Sequence, residues 1–370
     1  MTGKIRAIAA AILWLIIAPT CMAASQWAQW NRGVNLSHWF EFPGEQAVSS
    51  EELRMIRHAG FDHVRIPVNP VLLGWDPELG PEVREITLVR RAAEEALAAG
   101  LDVIIDLHFA EAVKDRIDKD ARLRRQTVEL WRFIADRFAD LPSARIAFEV
   151  FNEPGFYSQP PETWNRYQRE LVRAVRSRAA DNLIIGTAYK GSLPEGFIEL
   201  EPIDDRNIAY TFHFYLPYLF THQGVEWMRG LRHGYAGDVH ALPYPPAYIP
   251  VRTHGSVYTK EPKALSSISR YQKQEWDQDR ISGLIQPAVE WALRHRVRLL
   301  CTEFGALEQI PDAGSRRRWL KDVRTALQHR EIGWTVWDFK ADFGVAERDA
   351  DTGALHIGSP MRAALGLQTK

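Results

Sequence analysis

The chain has 370 residues and a formal charge of −1, from 46 Lys plus Arg against 47 Asp plus Glu. That length suits one large α/β domain or two modest ones, and 46% hydrophobic with 25% charged residues is the makeup of an ordinary globular protein. With no basic excess, a nucleic-acid partner is disfavoured on electrostatic grounds.

The first segment reads as a targeting signal. Lys4 and Arg6 precede an almost unbroken apolar run over 7–18, and small residues follow at Ala23 and Ala24. This is the layout of a secretory signal peptide, and the run is short for a bilayer span. A leader over 1–23 is therefore expected, with one domain over 24–370, export to the periplasm or medium, and no stable membrane insertion after cleavage. An uncleaved anchor is the alternative; lipidation at Cys21 is disfavoured by Thr20 before it. Removing the leader leaves Cys301 as the one cysteine, which excludes an internal disulfide.

Beyond the leader, short apolar runs rich in β-branched residues alternate with amphipathic stretches. The runs are 32–36, 63–66, 101–107, 146–151, 183–187, 208–212, 297–302 and 334–337. Several are apolar at consecutive positions, as strands buried on both faces are. Helical spacing of apolar residues marks 50–59, 82–99, 121–138, 162–179 and 315–329. Gly60 and Gly100 stand where a helix stops and a strand begins. Eight strands alternating with helices predict an α/β fold, a single (β/α)8 TIM barrel. An open doubly wound sheet is the alternative, without a Gly-rich nucleotide loop to support it. The segment 221–260, dense in Pro, Gly, Tyr and His, predicts an enlarged loop after the sixth strand. Its aromatic content favours an ordered rim over the cleft; a structural flap is the alternative.

In a barrel of this kind the chemistry gathers at the C-terminal ends of the strands. Those ends carry Arg65, His108, Asn152, Glu153, His213, Tyr215, Glu303 and Trp337. A charge ending a buried strand is costly unless paired or used. Glu153 and Glu303 fall on the fourth and seventh strands, which face one another across the mouth. A carboxyl pair in that position suits hydrolysis of a glycosidic bond, where a short separation gives retention of configuration. One carboxyl must be neutral and the other ionised, and environment enforces the difference. Arg65 is suited to favour an ionised Glu303, and Tyr215 to donate to the same carboxylate. The 13 Trp fit sugar stacking as well as packing.

The segments "RGVNLSHWF" (32–40), "FDHVRIPV" (61–68), "VIIDLHF" (103–109), "FEVFNEP" (148–154), "HFY" (213–215), "CTEFG" (301–305) and "WTVWDF" (334–339), in register over nearly the whole mature chain, resemble glycoside hydrolase family 5. This is the cellulase-type family of the clan with catalytic glutamates on strands four and seven. The resemblance implies Glu153 as acid/base and Glu303 as nucleophile, with Asn152 on the 2-hydroxyl of the sugar. It implies Arg65 and Tyr215 orienting Glu303, His108 and His213 lining the subsite, and Trp337 as stacking platform. Trp39 is a further aromatic contact or a packing residue. No metal or organic cofactor is implied, and His222, His233 and His240 lack metal-ligand spacing.

The expected activity is a retaining endo-β-1,4-glucanase, a monomer acting on a β-linked polysaccharide or oligosaccharide. β-Mannan, β-1,3-glucan and the host's own exopolysaccharide are alternative substrates. A non-catalytic polysaccharide-binding barrel predicts loss of a glutamate or of Asn152, and none is lost. "DFKADFGV" (338–345) and "LPYLFTHQG" (216–224) depart from the family's pattern and put the substrate, not the reaction, in doubt.

Overall fold

The computed structural model describes residues 30–42, 47–228, 235–249, 255–309 and 311–368. The leader expected over 1–23, Cys21 and His233 lie outside the described residues. Eight strands run in sequence order: β1 (Arg32–Asn35), β2 (His63–Val68), β3 (Asp102–Leu107), β4 (Ile146–Glu149), β5 (Leu183–Thr187), β6 (Ile208–Phe214), β7 (Arg298–Phe304) and β8 (Gly333–Val336). Each pairs in parallel with the next, and β8 pairs with β1 to close a barrel. The doubly wound alternative is thereby set aside.

The helices follow from local chemistry. Ser49 caps Ser50–Ala59 in a reciprocal box with Glu52, and Gly60, at φ 108°, ends it in a conformation that favours glycine. The helices Ile86–Ala98, Ala121–Arg137, Pro161–Arg176 and Ala313–Gln328 realise the four other amphipathic stretches with trimmed ends. Glu111–Lys119, Ala264–Lys273 and Gln278–His295 are additional helices that the pattern did not single out. Between β5 and β6 a 3-10 segment, Pro194–Glu199, stands in for a full helix, covered by helix Gln278–His295 through Trp291 Nε1 on the carbonyl of Leu200 at 2.9 Å.

Inside the barrel, alternate residues of each strand point to the axis. Ile104, Ala147, Leu183, Ile185, Ala209 and Leu300 fill its base, plugged by Trp30. One level up, Gly33 makes room for the His63 imidazole; a Cβ there would lie 2.1 Å from His63 Nε2. Two residues further along the same inward rows, the barrel turns polar: Asn35, Arg65, Asp106, Glu149, Thr211 and Thr302, all fully buried.

Several strand ends differ from the sequence expectation, β2 and β7 running on to Val68 and Phe304 rather than 66 and 302. The ladder of β4 stops at Glu149 rather than 151, and that of β6 continues to Phe214 rather than 212. Apolar residues carry on past Glu149, so composition marks burial there without marking where pairing ends. The described parts of the enlarged loop dock on helix Ala313–Gln328. Tyr244 is buried and donates from its hydroxyl to Asp322 at 3.0 Å, while Gln223 holds both the N–H and the carbonyl of Leu242.

Candidate active site

The site begins with a bulge. Phe212 of β6 pairs with Cys301 of β7, but the next residue, His213, pairs with Glu303. Thr302 is the extra residue, and a bulge of this kind re-aims the side chains that follow it. Thr302 faces the axis, bonded to Thr211 Oγ1 at 2.8 Å. Glu303, its immediate neighbour, also faces inward, where a regular strand would have turned it out.

Glu153 is placed by a different device. It lies four residues past the end of β4, at φ 44°, a left-handed backbone that costs a non-glycine residue strain. The segment around it is pinned on every side. Trp131 Nε1 donates to the carbonyl of Val150 at 2.8 Å, Thr187 Oγ1 to that of Phe151 at 2.8 Å, and Asn152 N to that of Leu107 at 2.9 Å. The buried Lys114 reaches the carbonyl of Glu153 itself at 3.5 Å. The peptide N–H of Gly191 donates to the carbonyl of Pro154 at 2.8 Å.

Arg65 organises the floor. Its Nη1 donates to Glu303 Oε1 at 2.7 Å and to Asn35 Oδ1 at 2.9 Å. Its Nε and Nη2 hold both oxygens of Glu149 at 2.9 and 2.8 Å, and Nη2 also reaches Asn152 Oδ1 at 2.9 Å and Asp106 Oδ2 at 3.0 Å. One guanidinium therefore faces three carboxyl groups in a dry interior. Burial opposes its charge, but Asp106, Glu149 and Glu303 outweigh that and lift its pKa well above the ordinary value. Burial raises the Asp106 carboxyl to about 6 against the pull of Arg65.

The other oxygen of Glu303 accepts from the Tyr215 hydroxyl at 2.8 Å. Both oxygens are thus held, by groups on β2 and after β6. On the β3 side, His108 stands with Nδ1 2.8 Å from Asp106 Oδ2 and Nε2 3.1 Å from Asn152 Nδ2. Burial lowers the His108 pKa despite Glu41 beside it. A neutral ring then donates from Nδ1 to Asp106 and accepts at Nε2 from Asn152, whose oxygen is turned to Arg65. The His108 and Trp337 rings are near-parallel, 24° apart with centroids at 5.9 Å.

The two glutamates are unequal. The Glu303 side chain is 5% exposed and that of Glu153 is 33% exposed, so Glu153 is the one open to an incoming or departing group. His213 Nδ1 lies 2.9 Å from Glu153 Oε1 and 3.5 Å from Glu303 Oε2. For Glu153 burial acts upward, but the hydrogen bond and charge of His213, with help from Lys114, hold the carboxyl below its ordinary value. His213 moves the opposite way: burial acts downward and the two glutamates lift it above its ordinary value. Both shifts favour the shared proton on His213.

An oxygen of Glu153, an oxygen of Glu303 and a ring nitrogen of His213 all lie within 4.8 Å of one another. Such a trio has the reach to hold a cation, but the Arg65 guanidinium, 2.7 Å from Glu303, already supplies positive charge there and opposes a second one. His222 and His240 take no part in such a group among the described residues. His222 is buried with its ring against Tyr215, and His240 is exposed.

Seven of the strand-end residues and Glu303 are therefore brought together as anticipated. Trp39 is not shown among them: it is half-buried and stacks on Phe40 with centroids at 4.9 Å. The residues missed are Asn35, Glu41, Asp106, Lys114 and Glu149. Three of them carry a signal in the sequence, a polar group inside an apolar run, at Asn35 in 32–36, Asp106 in 101–107 and Glu149 in 146–151.

The model of the family described as cellulase (glycosyl hydrolase family 5) matches residues 21–343. Endoglucanase C of Acetivibrio thermocellus is 28% identical over 334 residues, covering 86% of this chain and 93% of the relative. Among solved structures, Thermotoga maritima Cel5A in complex with cellobiose superposes with a TM-score of 0.72 at 25% identity, over 92% of this chain and 98% of that one. A hyperthermophilic endo-β-1,4-glucanase in complex with substrate gives a TM-score of 0.70 at 26% identity, over 91% and 97%.

Proposed function

This chain belongs to glycosyl hydrolase family 5 and is a cellulase-like β-glycosidase, and we propose that it cuts internal β-1,4 bonds of a glucan with retention of configuration. The observation that carries the reading is the short gap between Glu153 and Glu303, whose nearest oxygens lie within 4.8 Å. Retaining enzymes hold their carboxyl groups about 5–5.5 Å apart, whereas inverting ones leave about 6.5–9.5 Å for a water.

In this reading Glu303 attacks the anomeric carbon while Glu153 gives a proton to the departing glycosidic oxygen. A covalent glycosyl-enzyme results. Water then attacks the same carbon, its proton passing to Glu153, and Glu303 leaves as a carboxylate. Because Glu153 and His213 share one proton, they act as a single acid unit, with His213 passing its proton to the carboxyl as the glycosidic oxygen departs and recovering one after water has attacked. Asn152, fixed by Arg65 and His108, is placed for the sugar's 2-hydroxyl, and Trp337 for its ring face. Export before action is part of the proposal, supported by the basic-then-apolar layout of 4–18.

β-Mannan is a second reading, favoured by one finding: T. maritima Cel5A, to which this chain is similar, has been solved with mannotriose as well as cellobiose. Proton NMR of the first product from soluble β-1,4-glucan and β-mannan, followed by sizing of the fragments, tests both. The expected result is an initial β-anomer and a rapid spread of short chains from glucan. An initial α-anomer would overturn the retaining mechanism, and single-sugar release would overturn internal cutting.

A further inference from the structure

We propose that a second cavity beside the mouth, between the segments that follow β2 and β3, binds a carboxylate-bearing sugar of the glycan chain. It deepens the reading above by naming acidic β-glucans as a substrate class, and rests on that reading for the polymer's backbone.

The cavity has a volume of about 360 Å³, room for one or two sugar rings, and its walls include Val71, Trp75, Asp76, Arg84, Val113 and Arg116. Its charge is what sets it apart. Close by, Arg122 pairs with Glu78 at 2.6 Å, Arg124 binds the carbonyls of Ile117 and Asp118, and Arg90 pairs with Asp140 at 2.6 Å. Arg84 and Arg116, which face the cavity, make no side-chain hydrogen bond or ion pair among the described residues. The one acid in the lining, Asp76, has Oδ1 turned back to the N–H of Glu78 at 2.9 Å.

Arg84 is also packed in place. A Cβ on Gly74 would lie 2.5 Å from Arg84 Nε, so the guanidinium rests on that glycine. Trp75, 3% exposed, has an indole N–H without an acceptor among the described residues. Unpaired buried donors are uncommon in folded proteins. Two guanidinium groups without a protein partner among the described residues and the half-exposed aliphatic Val71 together fit a pyranose that carries a carboxylate: the forks take the anion and the apolar wall takes a ring face. A neutral sugar would leave both forks unused. The Trp75 ring packs on Phe109 with centroids at 5.6 Å, and Phe109 directly follows His108, so the cavity's wall is continuous with the strand end that carries that histidine.

The test compares carboxymethylcellulose with hydroxyethylcellulose of matched backbone length, for the wild-type chain, for Arg84→Ala/Arg116→Ala and for Arg122→Ala. The double variant is expected to raise KM on the carboxymethyl polymer about tenfold, as loss of charge-assisted hydrogen bonds does, and to leave kcat and KM on the neutral polymer unchanged. Arg122→Ala removes a nearby positive charge outside the cavity and is expected to leave both substrates unaffected. An equal rise in KM from Arg122→Ala, or no rise from the double variant, would overturn the proposal. Sodium D-glucuronate titrated into the wild type is expected to shift tryptophan emission, with D-glucose inert and the double variant unresponsive. A chain inactive on both polymers would sink the glucanase reading, while the glucuronate titration would still decide the cavity.

Discussion

Arg65 grips Glu149 through two parallel hydrogen bonds, 2.9 Å from Nε and 2.8 Å from Nη2, with neither side chain exposed. Glu149 touches no reacting atom, yet it aims the guanidinium that holds Glu303 and Asn152. Glu149→Ala would strip a buried cation of its two-pronged partner. The expected loss is about 3–5 kcal/mol of stability, the usual result of breaking a buried pair, together with a fall in kcat/KM. Urea denaturation and kinetics on a soluble glucan measure both, and unchanged stability would show that Asp106 and Glu303 suffice for Arg65.

Glu303→Gln keeps the shape of the side chain and removes its nucleophilicity. Turnover should fall about 10⁴-fold or more, with Tm close to that of the parent. Near-normal turnover would rule Glu303 out as nucleophile. Glu153→Ala should behave differently: azide, a small anion entering the space left by the carboxyl, is expected to restore part of the activity on substrates with a good leaving group, because acid assistance is then dispensable. Absence of rescue would count against the acid/base role.

The alkaline limb of the pH profile reports the proton shared by His213 and Glu153. Since the two glutamates lift His213 above its ordinary value, that limb should lie on the alkaline side of the usual imidazole range. In His213→Gln the carboxyl holds the proton alone, with Lys114 still working against it, so the limb should move to lower pH. Values of kcat/KM from pH 4 to 10 for the two proteins decide the matter; coincident limbs would remove His213 from the acid unit.

Asp338 directly follows Trp337 and hydrogen-bonds Ser37 and the N–H of Ala341. Burial raises its carboxyl from 3.8 to about 7. A raised acid favours the folded state fully below its unfolded value, and that contribution is lost as pH climbs through 7. Asp338→Asn keeps the shape and carries no charge. Its Tm should depend less on pH between 4 and 7 than the parent's and exceed it at pH 8. Parallel Tm curves would show Asp338 to be ionised throughout.

The barrel was legible because each strand is apolar on consecutive positions, and the catalytic pair because a polar residue ending such a run stands out. What escaped was the layer below. Asp106 sits inside its strand, and Glu149, the last paired residue of β4, sits inside the apolar run 146–151, where one inward polar residue looks like an outward one until the axis is known. The bulge at Thr302 was hidden for a related reason: in "CTEF" both Thr302 and Glu303 face the interior, which no period of two anticipates. Lys114 belongs to a helix, Glu111–Lys119, whose short and strongly polar sequence gave little periodic signal.

Asn35 donates to the carbonyls of Thr302 and Val336 while accepting from Arg65, joining residues up to 301 positions apart. The seam between first and last strand and the alignment of the catalytic floor are therefore the same event. During refolding, hydrolysis should return only when that seam has shut, later than the helical signal, since so distant a pairing is slow to find. The protein's own turnover thus serves as a clock for the last step of its assembly.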